Sequence, residues 1–121
     1  FTSQGRLYKI LTHIYPNTKI LYNKRHPDII NPKTNKALEL DCFIPELGIA
    51  FEYQGAQHQK PNRFFHSNIS RDSFKELQKR DMVKKKMCKK LGIKLIEVFD
   101  GDWDYSKNDL LRIINSGINK K

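Results

Sequence analysis

The sequence is most tightly constrained by residues 38–58, where two short apolar-rich runs flank the tetrapeptide Pro-Glu-Leu-Gly at 45–48. Short runs rich in β-branched and aromatic residues, bounded by Pro and Gly, predict a β-hairpin, and four-residue loops are common hairpin connections. If the turn is centred in the middle of this tetrapeptide, paired residues have numbers that add up to 93. This register places Asp41 directly opposite Glu52.

Alternate residues of a strand point to opposite faces of the sheet, so this register divides the hairpin side chains into two sets. The set predicted to face the core is Leu38, Leu40, Cys42, Ile44, Ile49, Phe51 and Tyr53. The opposite set is Glu39, Asp41, Phe43, Ala50, Glu52 and Gln54. Opposed like charges destabilise a strand pair, so the acids either sit in water or share a bound cation. Oxygen ligands favour Mg²⁺ or Mn²⁺ over zinc.

The net charge of +10 is unevenly distributed around this hairpin. Residues 1–37 hold seven Lys/Arg and one acid, whereas residues 38–58 hold four acids and no Lys/Arg. Residues 59–91 hold eleven Lys/Arg against three acids, and residues 92–121 hold five of each. Basic segments on both sides of an acidic hairpin favour a polyanionic ligand with a divalent cation as mediator. Lys-rich helices that only face solvent are the plain alternative.

A chain of 121 residues is large enough for one domain with a single core. Its two cysteines, Cys42 and Cys88, have neither metal-ligand nor disulfide-framework spacing, which favours buried thiols in a reducing intracellular compartment, cytoplasmic or nuclear. No apolar run is long enough to span a membrane, and no signal-peptide pattern opens the chain. Because the chain begins with Phe, we expect residues 1–121 to be a single domain excised from a larger protein, whose other domains would be partners.

Hydrophobic periodicity and turn residues predict the remaining elements. They are a helix at 3–14, a strand at 18–22, a loop at 23–36, a helix at 71–91 closed by Gly92, a strand at 93–99, and a last helix that starts at Ser106 and ends before Gly117. Trp103 and Tyr105 are expected to cap the core. A long helix between the hairpin and the last strand predicts a parallel strand pair, hence a mixed sheet with helices on its faces.

The predicted helix at 71–91 carries an interrupted apolar stripe. Its apolar members at i, i+3 and i+4 spacing are Phe74, Leu77, Cys88 and Leu91. Asp81 and Lys84 stand on the same stripe, with Gln78 beside them. Because an unpaired buried charge is costly, we expect the middle of this helix face to look into a polar site.

Asp41, ten intervening residues and Glu52-Tyr53-Gln54 follow the pattern D-x(n)-(D/E)-x-K, with Gln in place of the usual Lys. The pattern resembles the PD-(D/E)XK nuclease superfamily. The run LELDCFIPELGIAFEYQGAQH, followed by the basic helix and LGIKLIEV, is similar to the very-short-patch-repair-like endonucleases of phages, giant viruses and many microbes. The resemblance covers about residues 37–99 and implies an α/β, three-layer restriction-endonuclease-like fold with a central mixed sheet flanked by helices.

The resemblance also implies a function, the metal-dependent hydrolysis of DNA phosphodiester bonds with Mg²⁺ or Mn²⁺. Asp41 and Glu52 match the two acids that hold the cation, with the backbone carbonyl of Tyr53 as a further ligand. Gln54 occupies the motif lysine position, where it can orient a water or a phosphate oxygen but supplies no positive charge.

The missing charge has three candidate sources, His58, Lys84 and Arg80, of which the helix stripe favours Lys84. His58 matches a general base or phosphate contact of the family; a surface histidine packed on its loop is the alternative. Glu39 and Asp81 are candidates for an outer shell around the metal. The nucleic-acid contacts are assigned to Arg25, Lys60, Arg63, Gln78, Arg80, Lys84 and Lys85. A helix-borne Glu found in some relatives is missing, which leaves a second metal ion without that ligand.

Two other classes of function are weighed against the endonuclease. A nucleic-acid-binding domain that keeps the nuclease fold but has lost catalysis would account for Gln54. A basic structural protein of a ribonucleoprotein particle would fit the charge but would leave the opposed carboxylates unexplained. The sequence leaves RNA open as the substrate, and cutting both strands of a duplex would require two active sites and hence a dimer.

Overall fold

The computed structural model describes residues 3–54, 71–101 and 103–119. The elements in chain order are α1 (Ser3–Ile14), β1 (Leu21–Ile30), β2 (Ala37–Ile44), β3 (Ile49–Gln54), α2 (Arg71–Leu91), β4 (Lys94–Phe99) and α3 (Lys107–Ile118). The strands form one sheet in the order β1-β2-β3-β4, in which β1 to β3 are antiparallel and β4 is parallel to β3. The predicted element order and the mixed α/β class are confirmed.

The β2–β3 hairpin has the register expected from its turn. Gly48 adopts φ 65°, a left-handed conformation that glycine enters at little cost, and its N–H donates to the carbonyl of Ile44 at 3.0 Å. The paired residues are Cys42 with Phe51, Phe43 with Ala50 and Ile44 with Ile49. Each pair of numbers adds up to 93, so the predicted register is confirmed for the three pairs next to the turn.

Apolar clusters cover both faces of the sheet. The first joins the inward residues of β2, β3 and β4 to α1 and α3, and its buried members are Leu7, Leu11, Cys42, Ile44, Ile49, Phe51, Ile96, Val98, Trp103, Leu110 and Ile114. The second includes Phe43 and Ala50 and is covered by α2 through Cys88. Since Phe43 alternates with Cys42 and Ile44, α1 and α3 lie on one face of the sheet and α2 lies on the other.

The prediction that Leu38 and Leu40 share a face with Cys42 is wrong. Both leucines pack in the second cluster, on the α2 side. The paired stretch of the hairpin ends at Cys42 and Phe51. The strict alternation counted from the turn therefore does not extend beyond Asp41.

Strand β1 differs from the prediction of a short strand at 18–22 followed by a loop. It runs from Leu21 to Ile30 and passes through Pro27. As an edge strand in the order of the described strands, it tolerates a residue that lacks an N–H donor. Its register with β2 shifts between Arg25 and Ile30. Pairing with β2 outweighs the local turn preference of these residues.

Helix α2 has the predicted bounds and the predicted glycine after its last residue. Gly92 adopts φ 76°, and the N–H of Ile93 donates to the carbonyl of Cys88 at 2.8 Å, as in a Schellman-type helix end. Leu91 was expected to be part of the apolar stripe but is exposed. The helix instead turns Cys88 onto the sheet, with Val83 and Met87 packed alongside.

Helix α3 begins as predicted but ends later. The Ser106 side chain accepts a hydrogen bond from the N–H of Asp109 and caps the helix. The helix continues through Gly117 to Ile118, so the predicted end before Gly117 is wrong. A Cβ atom at 117 would lie 2.8 Å from Cγ1 of Ile96. Gly117 therefore permits a close approach to β4 and does not end the helix.

The expectation that both cysteines are buried thiols is confirmed, as is the placement of Trp103 against the core. Cys42 and Cys88 are both buried free thiols, and Trp103 is buried in the first cluster. Burial, with the nearby charges of Asp41 and Glu52, raises the pKa of Cys42 to about 12. In the part of the chain that the structure describes, no helix combines the length and the apolar character needed to cross a membrane.

Candidate active site

Beyond the last paired residues of the hairpin, Asp41 and Glu52 lie side by side and nearly buried, with 9% and 5% of their surface exposed. The N–H of Asp41 donates to Oε2 of Glu52 at 2.9 Å. The N–H of Tyr53 donates to Oδ2 of Asp41 at 2.7 Å. Each carboxylate thus accepts a backbone N–H of the opposite strand where a carbonyl would normally do so. The two acids are held together by the hairpin itself.

Lys84 of α2 completes this pair. Its Nζ lies 2.6 Å from Oε1 of Glu52, and its side chain is only 15% exposed. The interrupted stripe predicted that this part of the helix looks into a polar site, and Lys84 does contact the acid Glu52. Burial raises the pKa of Glu52 to about 7, and the charge of Asp41 acts in the same direction, while Lys84 opposes both. A buried cation therefore partly offsets two crowded carboxylates.

Gln54, at the motif lysine position, is 3% exposed and directs its amide nitrogen to β4. Nε2 of Gln54 donates to Oε2 of Glu97 at 2.9 Å, and Nζ of Lys85 lies 3.1 Å from Oε1 of Glu97. Sequence analysis missed Glu97. One sequence signal pointed to it, since Glu97 is a lone acid in a mostly apolar strand. The parallel register aligns Glu97 with Glu52.

The acids open into a cleft of about 210 Å³ between the hairpin and α2. Its lining includes many of the predicted site residues, namely Arg25, Glu39, Asp41, Glu52, Tyr53, Gln54, Arg80, Asp81 and Lys84. Gln4 of α1 also lines the cleft. No sequence pattern indicates Gln4 as a site residue, since its position depends on how α1 packs against the sheet.

Arg25 and Glu39 meet at the rim of the cleft. Nη1 of Arg25 donates to the carbonyl of Ala37 at 2.6 Å, and its Nε lies 3.9 Å from Oε1 of Glu39. Both side chains are about half exposed, at 61% and 46%. Glu39 is thus paired with a cation at the cleft edge, and Arg25 keeps an exposed guanidinium there.

Two of the remaining predicted contacts are described by the structure, and neither of them lines this cleft. Gln78 is exposed and does not line the cleft. Lys85 lines a neighbouring cavity along β4. His58, Lys60 and Arg63 lie outside the described residues.

A hydrogen-bonded cluster fixes the end of β3 next to the cleft. Tyr53 Oη donates to Oδ1 of Asp100 at 2.6 Å and lies 2.8 Å from Oη of Tyr105, which also donates to Oδ1 of Asp100 at 2.9 Å. Hydrogen bonds from Tyr53 and then Tyr105 lower the pKa of Asp100. The N–H of Asp100 donates to the carbonyl of Gln54 at 2.9 Å. These contacts hold Tyr53 and Gln54 in place beside the acids.

The donor chemistry at the hairpin suits a magnesium-like ion. Among residues 3–54, 71–101 and 103–119, no group of three or more His, Cys, Asp and Glu side chains is arranged to hold a metal. The site offers the Asp41–Glu52 pair, whose donors are all oxygen. Mg²⁺ is commonly held by one or two carboxylates together with waters and substrate phosphates. The pair fits such an ion, because a divalent cation would offset the repulsion between the two acids.

Comparison with known proteins gives relatives but no family. No family model and no solved structure matches the chain. It is 49% identical over 74 residues to uncharacterized protein 094L of Frog virus 3 (isolate Goorha), an alignment that covers 61% of this chain and 47% of that protein. It is 41% identical over 81 residues to uncharacterized protein 033L of Invertebrate iridescent virus 3, covering 66% of this chain and 41% of that protein.

A third relative is uncharacterized protein 307L of Invertebrate iridescent virus 6. The chain is 42% identical to it over 83 residues, which covers 64% of this chain and 41% of that protein. The chain thus spans less than half the length of each of these three viral proteins.

Proposed function

We propose that this chain is a metal-dependent endonuclease domain that hydrolyses DNA phosphodiester bonds and has a three-layer restriction-endonuclease-like fold. The fold assignment is supported by a mixed sheet with α1 and α3 packed on one face and α2 on the other. The observation that carries the activity is the buried, crosswise-bonded pair of Asp41 and Glu52 with Lys84 at 2.6 Å. A solvated sheet face would leave these side chains in water, and they are buried.

Asp41 and Glu52 hold the Mg²⁺ or Mn²⁺ ion in this proposal, with the carbonyl of Tyr53 as a further ligand. When bound, the ion polarises the scissile phosphate and lowers the pKa of a bound water. The hairpin contributes preorganisation, because the amides of Asp41 and Tyr53 already fix both carboxylates. Little rearrangement is then required when the substrate arrives.

Lys84 supplies the positive charge that Gln54 does not. Its ammonium group lies inside the cleft and is bonded to Glu52. With a cation held at Glu52, the ammonium group of Lys84 would be able to donate a hydrogen bond to a phosphate oxygen and stabilise the negative charge that develops there. Gln54 acts through Glu97, to which its amide nitrogen is bonded. The cationic function of the motif is thereby moved from β3 to α2.

The nucleic-acid backbone is bound by cations around the cleft. Arg25 and Arg80 line it, and both are exposed. Exposed Lys and Arg side chains around a shared site attract phosphates and release counterions on binding. A divalent cation held by Asp41 and Glu52 would offset the repulsion between these acids and a phosphate, in keeping with the alternation of basic and acidic segments along the chain.

Plasmid nicking tests the proposal directly. Purified protein is incubated with supercoiled plasmid in EDTA, Mg²⁺ or Mn²⁺, and the products are separated into nicked and linear forms. We expect cleavage only with a divalent cation. Asp41→Asn and Glu52→Gln should each reduce the rate at least roughly a thousandfold, because several kcal/mol of transition-state stabilisation is lost. DNA binding by both variants should persist.

The matched control is Glu46→Gln, which neutralises an exposed acid in the turn of the same hairpin. It should cut at the wild-type rate. Cleavage by Asp41→Asn or Glu52→Gln at the rate of this control would contradict the metal assignment. A duplex RNA of matching sequence, tested in parallel, distinguishes a deoxyribonuclease from a ribonuclease.

One observation favours a second candidate, a nucleic-acid-binding domain without catalysis. Gln54 replaces the motif lysine, and its amide nitrogen is bonded to Glu97. In that case plasmid would remain supercoiled at every metal concentration while DNA binding remained measurable. The same plasmid assay, combined with a gel-shift measurement, therefore separates the two candidates.

A further inference from the structure

A second cavity, of about 470 Å³, lies along β4 between α2 and α3. Four cationic side chains line it: Lys85 and Lys89 from α2, Lys94 from β4 and Arg112 from α3. One acid, Glu97, lies among them and is paired with Lys85 at 3.1 Å. The aromatic ring of Phe99 also contributes to the wall. The cavity is therefore a cationic groove with a partly apolar wall, and we call it the β4 groove.

The β4 groove runs along the last strand of the sheet. Among the strands that the structure describes, β4 pairs only with β3 and stands last in the order β1-β2-β3-β4. The residues of β4 that line the groove are Lys94, Leu95, Ile96, Glu97 and Phe99. Helices α2 and α3 cover the two faces of the sheet beside it, so the groove is bounded on both sides.

The β4 groove shares a wall with the candidate active site. Glu97 lines the groove, and its Oε2 accepts a hydrogen bond from Nε2 of Gln54. Gln54 in turn lines the active-site cleft. Glu97 is aligned with Glu52 on the neighbouring strand, and neighbouring strands lie about 4.8 Å apart. Lys85, in the groove, follows Lys84, in the cleft, directly on α2. The cleft and the groove are therefore neighbours, separated by the hydrogen bond between Gln54 and Glu97.

We infer that the β4 groove binds a single-stranded segment of nucleic acid that continues from the scissile phosphate, so that the preferred substrate is a duplex with a single-stranded tail. The assignment of this segment to a substrate rests on the proposed endonuclease function. Sites for single strands combine a cationic groove for the backbone with aromatic side chains for the bases. The four cations and Phe99 supply both features.

The volume of the groove suits a short stretch of one strand. A cavity of about 470 Å³ lies within the range of roughly 300–1,000 Å³ that is typical of small-ligand pockets. We therefore assign a few nucleotides of one strand to the β4 groove and leave the paired part of the substrate outside it.

Equilibrium binding in EDTA tests this inference without hydrolysis. The probes are a fluorescent blunt DNA duplex and the same duplex with an oligothymidine tail at either its 5′ or its 3′ end. The groove variant is Lys89→Gln with Lys94→Gln. The matched control is Lys86→Gln with Lys90→Gln, which removes the same charge from exposed positions on α2 that line neither cavity. Thermal melts confirm that each variant is folded.

We expect the wild type and the control to bind one tailed duplex more tightly than the blunt duplex. The groove variant should lose this advantage. Losing two phosphate contacts to a single strand lowers the slope of log K against log salt by about 1.4, which near physiological salt is roughly a tenfold loss of affinity. Binding of the blunt duplex should be the same for both variants.

Three outcomes would overturn the inference: equal binding of tailed and blunt duplexes by the wild type, equal losses in the groove and control variants, or competition by polyglutamate as strong as by oligothymidine. The last would identify the groove as a docking site for acidic peptides. Tail binding that depends on the groove, in a protein that never nicks plasmid, would support the groove assignment and refute the endonuclease. Nicking without any tail effect would do the reverse.

Discussion

The two ends of the β2–β3 hairpin are built from the same strands but are held together differently. At the turn end, Ile44 pairs with Ile49 and Cys42 pairs with Phe51, and these side chains pack in the first apolar cluster. At the open end, Asp41 and Glu52 accept backbone N–H groups from the opposite strands. The strand pairing at the turn end sets the register of the hairpin. At the open end, the bonds between carboxylates and backbone amides hold two like charges together. Substitutions at the two ends should therefore affect different properties.

The largest effect is expected at the turn end. Phe51→Ala removes a fully buried ring from the first cluster and should lower the free energy of unfolding by about 3–5 kcal/mol. Urea denaturation followed by circular dichroism measures this change. The control Leu47→Ala, at an exposed turn position, should change the stability by less than about 0.5 kcal/mol. A stability loss in Phe51→Ala no larger than in the control would show that the turn end does not anchor the hairpin.

At the open end, Lys84→Gln should affect cleavage more than folding. Loss of a charged donor at the developing phosphate charge should lower kcat by roughly 10²–10³-fold. Adding Gln54→Lys to this variant returns a cation to the motif position and should restore part of the rate. Lys86→Gln, at an exposed position on the same helix, serves as the control. Full activity in Lys84→Gln, or no recovery in the double variant, would contradict the relocation of the motif charge to α2.

The smallest effect is a dependence of stability on pH that arises at the open end. Because burial raises the pKa of Glu52 to about 7, the metal-free folded protein binds this proton more tightly than the unfolded chain does. The protonation of Glu52 therefore contributes its full stabilisation at pH values below the pKa of this residue in the unfolded chain. This contribution is lost as the pH rises towards 7 and above. The total contribution of this group is at most roughly 3–4 kcal/mol.

Unfolding free energies measured in EDTA between pH 5 and pH 8 test this sign. The wild type should lose stability across this range relative to Glu52→Gln, which cannot titrate at 52. The pKa values of Glu76, Asp100 and Asp109 are lowered, so these groups change the unfolding free energy only at pH values below this window. Excess Mg²⁺ should reduce the loss in the wild type only. If the unfolding free energies of wild type and variant depended on pH in the same way, burial would not disfavour the ionised form of Glu52.

Local patterns predicted the parts of the structure that depend on local constraints. Pro45 and Gly48 define the turn, and counting from that turn gives the register of the three pairs next to it. A charge on an otherwise apolar helix stripe requires a partner, which is why the stripe predicted a polar site at the position where Lys84 contacts Glu52.

The parts that could not be predicted depend on contacts between distant segments. Pro27 lies in a strand because pairing with β2 extends β1. Gly117 continues α3 because it packs against Ile96 of β4, and no local pattern reports that contact. Gln4 reaches the cleft only through the packing of α1. Glu97 became part of the site because β4 pairs in parallel with β3, which brings it level with Glu52.

The crosswise bonds at the open end also make two backbone amides into reporters of the site. The amide proton of Asp41 is bonded to Glu52, and that of Tyr53 is bonded to Asp41. Protonation or ligation of either carboxylate changes the field at the opposite strand's amide directly. The amide resonances of residues 41 and 53 can therefore follow the ionisation and occupancy of each acid separately, without a substrate and without a chemical label.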